Sequence, residues 1–511
     1  MALAAALFVA LVMPPVTGWA DPAVPDTAPS PFPLPERLAA RVDFWVSVYT
    51  SYTTRQAILH DADHPEVIYG ILDLGGVPDG SVTPYPEDDV ARMDQARDRV
   101  ARHLRGLADF HGPVEALSPE ERQILDAAAA LLGRHPLVAA AGRVRSQRGQ
   151  SDRFRLGLAR SGRYIDSFRA LARTVGVPED LAYLPHVESS FERGARSAAG
   201  AAGMWQFMPA TARNYLAIDA ARDERLDPWL AARAAFRLLA ANHEVLGSWP
   251  LAITAYNHGQ GGMARAQRRY GDDLATIVDR YDARTFGFAS KNFYAEFLAV
   301  MRIVASPEVW FGTVPEDAPI RFEPFSLPDF TRMPAFAAAA NLSLTTLQAL
   351  NPALRDSIWS GQRLAPRGYE LRLPAGVAAR VARDWSDLPG SFRFEQGVNT
   401  RWHRVRRGEN LSVIAHRYGT SVSALVALNA LGRRRTIYPG QRLKVRRAEK
   451  WTSIPGPGEA HHVVARGDTL ETIARRYGVG VNDLARSNGL ADPSRVLIGQ
   501  VLVIPRPVPS P

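Results

Sequence analysis

The C-terminal third of the chain contains one unit twice. "HRVRRGENLSVIAHRYG" from His403 and "HVVARGDTLETIARRYG" from His462 align at a shift of 59 residues with no insertion. Gly408 falls on Gly467, Leu411 on Leu470, Asn429 on Asn488, and Gly440-Gln441 on Gly499-Gln500. Each copy opens with a short alternating run, then Gly-Glu or Gly-Asp, and then Asn410 or Thr469, a residue type that starts helices. A first amphipathic helix stops at Tyr418-Gly419 or Tyr477-Gly478, a second stops at the Asn, and "QRLKV" or "QVLVI" reads as a closing strand. The pattern predicts two small α+β modules of βααβ order, at 402–447 and 461–505. A chain of 511 residues is in any case too long for one hydrophobic core, so it is expected to be multidomain.

A weaker echo lies upstream. In the segment 321–376, "LTTLQALNPAL", Gly361-Gln362 and "ELRLP" keep the end of the pattern, but the Gly-Asp-Thr-Leu start is missing and the Asn351 to Gly361 spacing is one residue short. We expect a degenerate copy that packs rather than binds.

From Leu38 to about Ile303 the apolar residues recur at three and four, as in "RVDFWVSVYTSY", "RYIDSFRALARTVG" and "NFYAEFLAVMRIVA". This predicts an N-terminal helical region at 38–150 and a mainly α core domain at 151–305. Residues 21–37 are a Pro-rich leader. Residues 1–20 are apolar from Ala2 to Met13, break at Pro14-Pro15 and place Gly18 and Ala20 before Asp21, the pattern of a cleavable export signal. The expected location is therefore outside the cytoplasm, periplasmic or associated with the cell wall. No other run is long enough to span a bilayer, so the mature chain is expected to carry no transmembrane segment.

There is no cysteine, so no disulfide framework, no thiol nucleophile and no lipid anchor at the cleavage site are expected. The net charge of +9 is concentrated: residues 401–450 alone carry 13 Arg plus Lys against two acids. One basic module needs a partner, not a basic protein. The Arg433 to Arg435 run reads first as a solvated turn. Without interleaved aromatics and in an exported chain, nucleic acid is not expected as a partner.

The chemistry lies in "LPHVESSFERGARSAAGAAGMWQFMPATA", residues 184–212. It offers one carboxyl, Glu188, in an apolar setting of Leu184, Val187, Phe191 and Trp205. Glu192 enters a polar loop and reads as solvated, Glu179 and Asp180 read as helix-capping acids, and His186 as a packing histidine. Breaking a glycosidic bond requires an acid that is protonated near neutral pH, which such surroundings favour. No metal-ligand spacing is present, and neither metal nor cofactor is expected.

These residues carry a resemblance. "ESSFERGARSAAGAAGMWQFMPATA" together with "LAITAYNHGQGG" is similar to the two signature segments of the soluble-type lytic transglycosylase (SLT) domain, a relative of goose-type lysozyme, and the βααβ modules resemble LysM. The order of parts is similar to the membrane-bound murein transglycosylase D branch. The resemblance implies a lysozyme-like catalytic domain that cleaves the β-1,4 bond of peptidoglycan between N-acetylmuramic acid (MurNAc) and N-acetylglucosamine (GlcNAc) and leaves a 1,6-anhydro end. It implies Glu188 as acid and then base, with Ser189, Ser197, Met204, Gln206, Tyr256 and Asn257 at the substrate, and Met204 with Trp205 as a cleft wall. LysM implies binding of GlcNAc-containing glycan strands. The family's third segment, Glu-Thr followed two residues later by Tyr, is lost here: Ala289-Ser290 and Phe293 stand in its place, with Tyr294 one residue on. Two other readings stay open, a lysozyme-like hydrolase with Asp227 as a second acid, and a non-catalytic wall-binding scaffold.

Overall fold

The computed structural model describes residues 30–76, 86–129, 137–394, 400–418, 422–429, 431, 436–446, 460–464, 468–477, 479–488, 496 and 501–504. The expected signal at 1–20 and the Arg433 to Arg435 run lie outside the described residues. The chain divides into two compact units, one of residues 1–217 and 224–320, the other of 218–223 and 321–511.

The first unit begins with α1 (Ala39–Thr50), then β1 (Gln56–Asp61), β2 (Ile68–Asp73), α2 (Glu87–Ala108), α3 (Pro119–Ala129), α4 (Leu137–Ala141) and β3 (Val144–Arg148). The expected helical region at 38–150 carries, beside its helices, three strands that the sequence reading did not include. The three strands form an antiparallel sheet ordered β2-β1-β3, with Ile58 opposite Ile71 and Gln147. The β-branched and aromatic runs "AILH" and "IYGIL" suit a pleated surface buried on both sides. Alternation along β1 sends Ala57 and Leu59 into a core with Met93, Val100 and Leu104 of α2, and Ile58 into a different core with α1.

That second core lies against the helices that follow. They are α5 (Ser151–Ser161), α6 (Ile165–Val175), the single turn α7 (Pro185–Ser189), α8 (Pro209–Ala212), α9 (Pro228–Leu246), α10 (Trp249–His258), α11 (Gln260–Tyr270), α12 (Leu274–Arg280), α13 (Phe288–Ala305) and α14 (Pro307–Phe311). Val42, Trp45 and Tyr49 of α1 pack with Phe154 of α5 and with Ala295, Ala299 and Ile303 of α13. Polar bonds fix the register: the Asn292 side-chain carbonyl accepts from the Trp45 indole at 3.1 Å and from Arg41 at 3.3 Å. Tyr294 is buried and donates to the Pro33 carbonyl at 2.8 Å.

The second unit runs β4 (Phe322–Ser326), β5 (Phe330–Thr331), α15 (Met333–Ala339), α16 (Leu344–Leu350), α17 (Asp356–Trp359), β6 (Glu370–Pro374), α18 (Ala378–Asp384) and β7 (Arg393–Phe394). Then come β8 (Thr400–Arg404), α19 (Leu411–Arg417), α20 (Val422–Leu428), β9 (Arg442–Arg446), β10 (Ala460–Val463), α21 (Leu470–Tyr477), α22 (Val481–Ser487) and β11 (Val501–Ile504). The βααβ order holds in both repeats, with β8 antiparallel to β9 and β10 to β11.

The Asn that ends the second helix explains its place in the pattern. The Asn429 amide donates to the Leu425 and Lys444 carbonyls and accepts from the Lys444 N–H at 2.6 Å, tying the helix end to the last strand. Asn351 makes the same three bonds to Leu347 and Arg372 in the 321–376 segment, where β4 pairs antiparallel with β6. A second shared device joins strand to loop. His403 lies between the Tyr418 hydroxyl and Glu409, and His462 between the Tyr477 hydroxyl and Asp468, each carboxylate at 2.7 Å. Backbone N–H bonding at Arg406, with His403 and Arg417 beside it, holds the Glu409 carboxyl down at about 2.

Candidate active site

Glu188 stands on a helix of five residues that begins with Pro185 at its first position and stops because Ser190 and Phe191 both turn left-handed, at φ 51° and 56°. Each such residue with a Cβ costs about 1–2 kcal/mol. Packing offsets this: Phe191 is buried against His186, with ring centroids 4.7 Å apart, and beside Phe168. Strain of this kind, maintained by its surroundings, is typical of functional sites. His186 is a core residue, as expected, stacked on Phe154 at 4.7 Å and pushed down to about 3 by burial.

Glu188 is enclosed by protein while part of its surface still meets solvent. Burial first, and then the charge of Glu296, push its carboxyl up to about 8, so it is an acid at neutral pH. Tyr256 of α10 is close enough for the Glu188 charge to act on it, and its hydroxyl donates to the Trp205 carbonyl at 2.8 Å. Phe293 of α13 stacks behind the Tyr256 ring at an interplanar angle of 10°.

The loop after Glu188 is built by its own backbone. The Ser197 N–H donates to the Ala201 carbonyl, and the exposed Ser197 hydroxyl accepts from the Ala201 N–H, both at 3.0 Å. Gln206, left-handed at φ 46°, donates to the Gly203 and Ala195 carbonyls, so its amide nitrogen is engaged in the loop. Arg225 donates to the Gly200 and Phe207 carbonyls. Gly203 is required by protein rather than by ligand, because a Cβ there would lie 1.8 Å from the Arg225 carbonyl oxygen.

Two expected wall residues and one expected binding residue are relocated by the structure. Trp205 is 0% exposed and packs between Phe168 and Phe236, with ring centroids at 5.5 and 5.3 Å, and Met204 is 1% exposed. Both are core side chains rather than a cleft wall, since their bulk fills the space under the loop. Ser189 is also fully buried, and its hydroxyl donates to the Met204 carbonyl at 2.7 Å, so it fastens the loop to α7 rather than facing a ligand.

Asn257 is exposed and accepts from the Ser290 hydroxyl at 2.7 Å. The pair lines a pocket of about 440 Å³ together with His258, Arg284, Phe288 and Arg145, whose guanidinium sits 4.4 Å from the Phe288 ring centroid. Arg145 comes from β3, so the sheet region contributes to this pocket. Asp227, the candidate second acid of a hydrolase, is fully buried and caps α9 by accepting from the Trp229 and Leu230 N–H groups. Glu192 pairs with Arg160 at 3.1 Å.

The residue that sequence reasoning missed is Glu296 of α13, which accepts from the Tyr49 hydroxyl at 3.2 Å and is itself pushed up to about 8 by burial. A single acid within the apolar run "FYAEFLAV" is the signal that could have found it.

The family described as Transglycosylase SLT domain matches residues 167–277, and the LysM domain matches 403–446 and 462–505. The chain carries a transglycosylase SLT domain and two LysM domains, the parts of a lytic transglycosylase. This transglycosylase is 29% identical over 328 residues to the membrane-bound lytic murein transglycosylase D of Escherichia coli, covering 61% of the chain and 70% of that protein. It is 40% identical over 90 residues to the N-acetylmuramoyl-L-alanine amidase sle1 of Staphylococcus haemolyticus, covering 17% of the chain and 27% of that protein. Among solved structures it is similar to the lytic transglycosylase Slt of Pseudomonas aeruginosa in an inactive mutant form, at 16% identity and a TM-score of 0.24 over 46% of this chain and 45% of that one. Among the described residues of the transglycosylase no helix is long and apolar enough to cross a membrane.

Proposed function

We propose that the enzyme cleaves the β-1,4 bond between MurNAc and GlcNAc in peptidoglycan and leaves a 1,6-anhydroMurNAc end. The observation that carries this reading is the Glu188 carboxyl, which keeps its proton up to about 8 yet touches solvent beside Tyr256. Glu188 gives that proton to the GlcNAc oxygen as the C1–O bond breaks. The 6-hydroxyl of the same MurNAc then attacks C1, and its proton returns to the Glu188 carboxylate. A hydrolase needs a partner carboxylate that is ionised at working pH. Asp227 is occupied as a helix cap, and the Glu296 carboxyl is engaged by the Tyr49 hydroxyl.

Ser197, the Gln206 side-chain oxygen, Tyr256 and Asn257 are the groups we assign to sugar, with Ser189 and Met204 supporting the loop from behind. The two LysM domains hold GlcNAc-containing strands, so weak binding on the same chain raises the local substrate concentration. The enzyme acts outside the cytoplasm, exported by way of residues 1–20. The Glu188→Gln protein should still sediment with purified peptidoglycan while releasing no soluble sugar, and continued release would refute the assignment.

A further inference from the structure

Glu296 is an acid where chemistry does not require one for packing. A glutamine side chain would accept from the Tyr49 hydroxyl equally well and would avoid the cost of burying a carboxyl. Tyr49 itself is held firmly: it is 1% exposed, with its ring 5.1 Å from Phe154 and 5.7 Å from Trp45. The hydroxyl therefore fixes where Glu296 points. Glu296 of α13 is bonded to Tyr49 of α1, and the charge of Glu188 on α7 reaches both Tyr49 and Tyr256 of α10. The charges of both acids act on Tyr49, and the charge of Glu296 acts on Glu188. The cation facing Tyr49 is Arg153 of α5, and the nearby His186 ring is neutral in the core.

We propose that Glu296, fixed by the Tyr49 hydroxyl, is a positioning residue that governs when Glu188 releases its proton, so that α1, which precedes the matched SLT domain, completes the active centre. Burial first, and then the charge of Glu296 on the neighbouring helix, hold the proton on Glu188, so ionisation of Glu296 delays its release.

The inference rests on Glu188 being the acid of the reaction. The test is the pH profile of anhydro-sugar release from purified peptidoglycan by the full chain and by its Glu296→Gln and Tyr49→Phe variants. In Glu296→Gln the alkaline limb should move about one unit toward acid, because Glu188 loses a like-charged neighbour, with the acid plateau kept within a few-fold. Tyr49→Phe should move it in the same direction by less, because Glu296 then ionises later. Should Glu296→Gln fail to fold, the Tyr49→Phe limb decides alone. An unmoved limb in folded variants, or an equal loss at every pH, overturns the role of Glu296 while leaving Glu188 in place. A wild-type protein that releases no anhydro sugar would instead overturn the functional reading itself.

Discussion

Replacing Glu188 by Gln should stabilise the catalytic unit while removing its activity, and the gain should grow with pH. In the folded chain the carboxyl is raised from 4.5 to about 8. Such an acid contributes its full stability below the unfolded value and loses it as pH rises through the folded one, so the window runs from 4.5 to about 8. A 3.5-unit shift corresponds to at most about 5 kcal/mol at 1.36 kcal/mol per unit. Because part of the Glu188 surface meets water, screening lowers this to about 2–3 kcal/mol above pH 8. Glutamine keeps the shape without the charge. The assay is denaturant unfolding of both proteins from pH 4.5 to 9, following the transition of the catalytic unit. No gain, or a gain independent of pH, would refute the claim that Glu188 is held as a buried acid.

Gly203→Ala should disrupt the 195–207 loop, since the new Cβ meets the Arg225 carbonyl at 1.8 Å; we expect a destabilisation of several kcal/mol, about the scale of core strain, read by thermal unfolding together with loss of sugar release. Tyr256→Phe removes the bond to the Trp205 carbonyl; kcat should fall at least about tenfold with sedimentation on the wall unchanged, an effect of roughly 1.4 kcal/mol or more. Asn351→Ala breaks three hydrogen bonds of a fully buried side chain and should cost about 2–3 kcal/mol by denaturant unfolding, without change in glycan binding. Deleting 401–511 should reduce action on intact sacculi far more than on short soluble glycan, and equal loss on both would contradict tethering.

Much of this was legible because the decisive signals were local. The LysM units show in the spacing of Gly408, Leu411 and Asn429, and the structure gives the Asn a reason, its bonds to Lys444. The region around Glu188 was legible for the same reason, with the acid, a small-residue loop and Gln206 within twenty residues. What escaped depended on tertiary packing. The resemblance made Trp205 a cleft wall, yet Phe168 and Phe236 enclose it. The sheet of β1 to β3 was hidden because its strands are short and lie among helices, and β3, "VRSQR", has no apolar alternation. Glu296 escaped because its meaning depends on Tyr49, distant in sequence and adjacent in space.

The central claim is that one acid and an internal hydroxyl suffice to cut the glycan. Mass analysis of sugars released from purified peptidoglycan tests it most directly. Products ending in anhydromuramic acid, lighter by one water than hydrolysis products, are the predicted result. Reducing ends would contradict it and show that water, activated by another group, is the nucleophile.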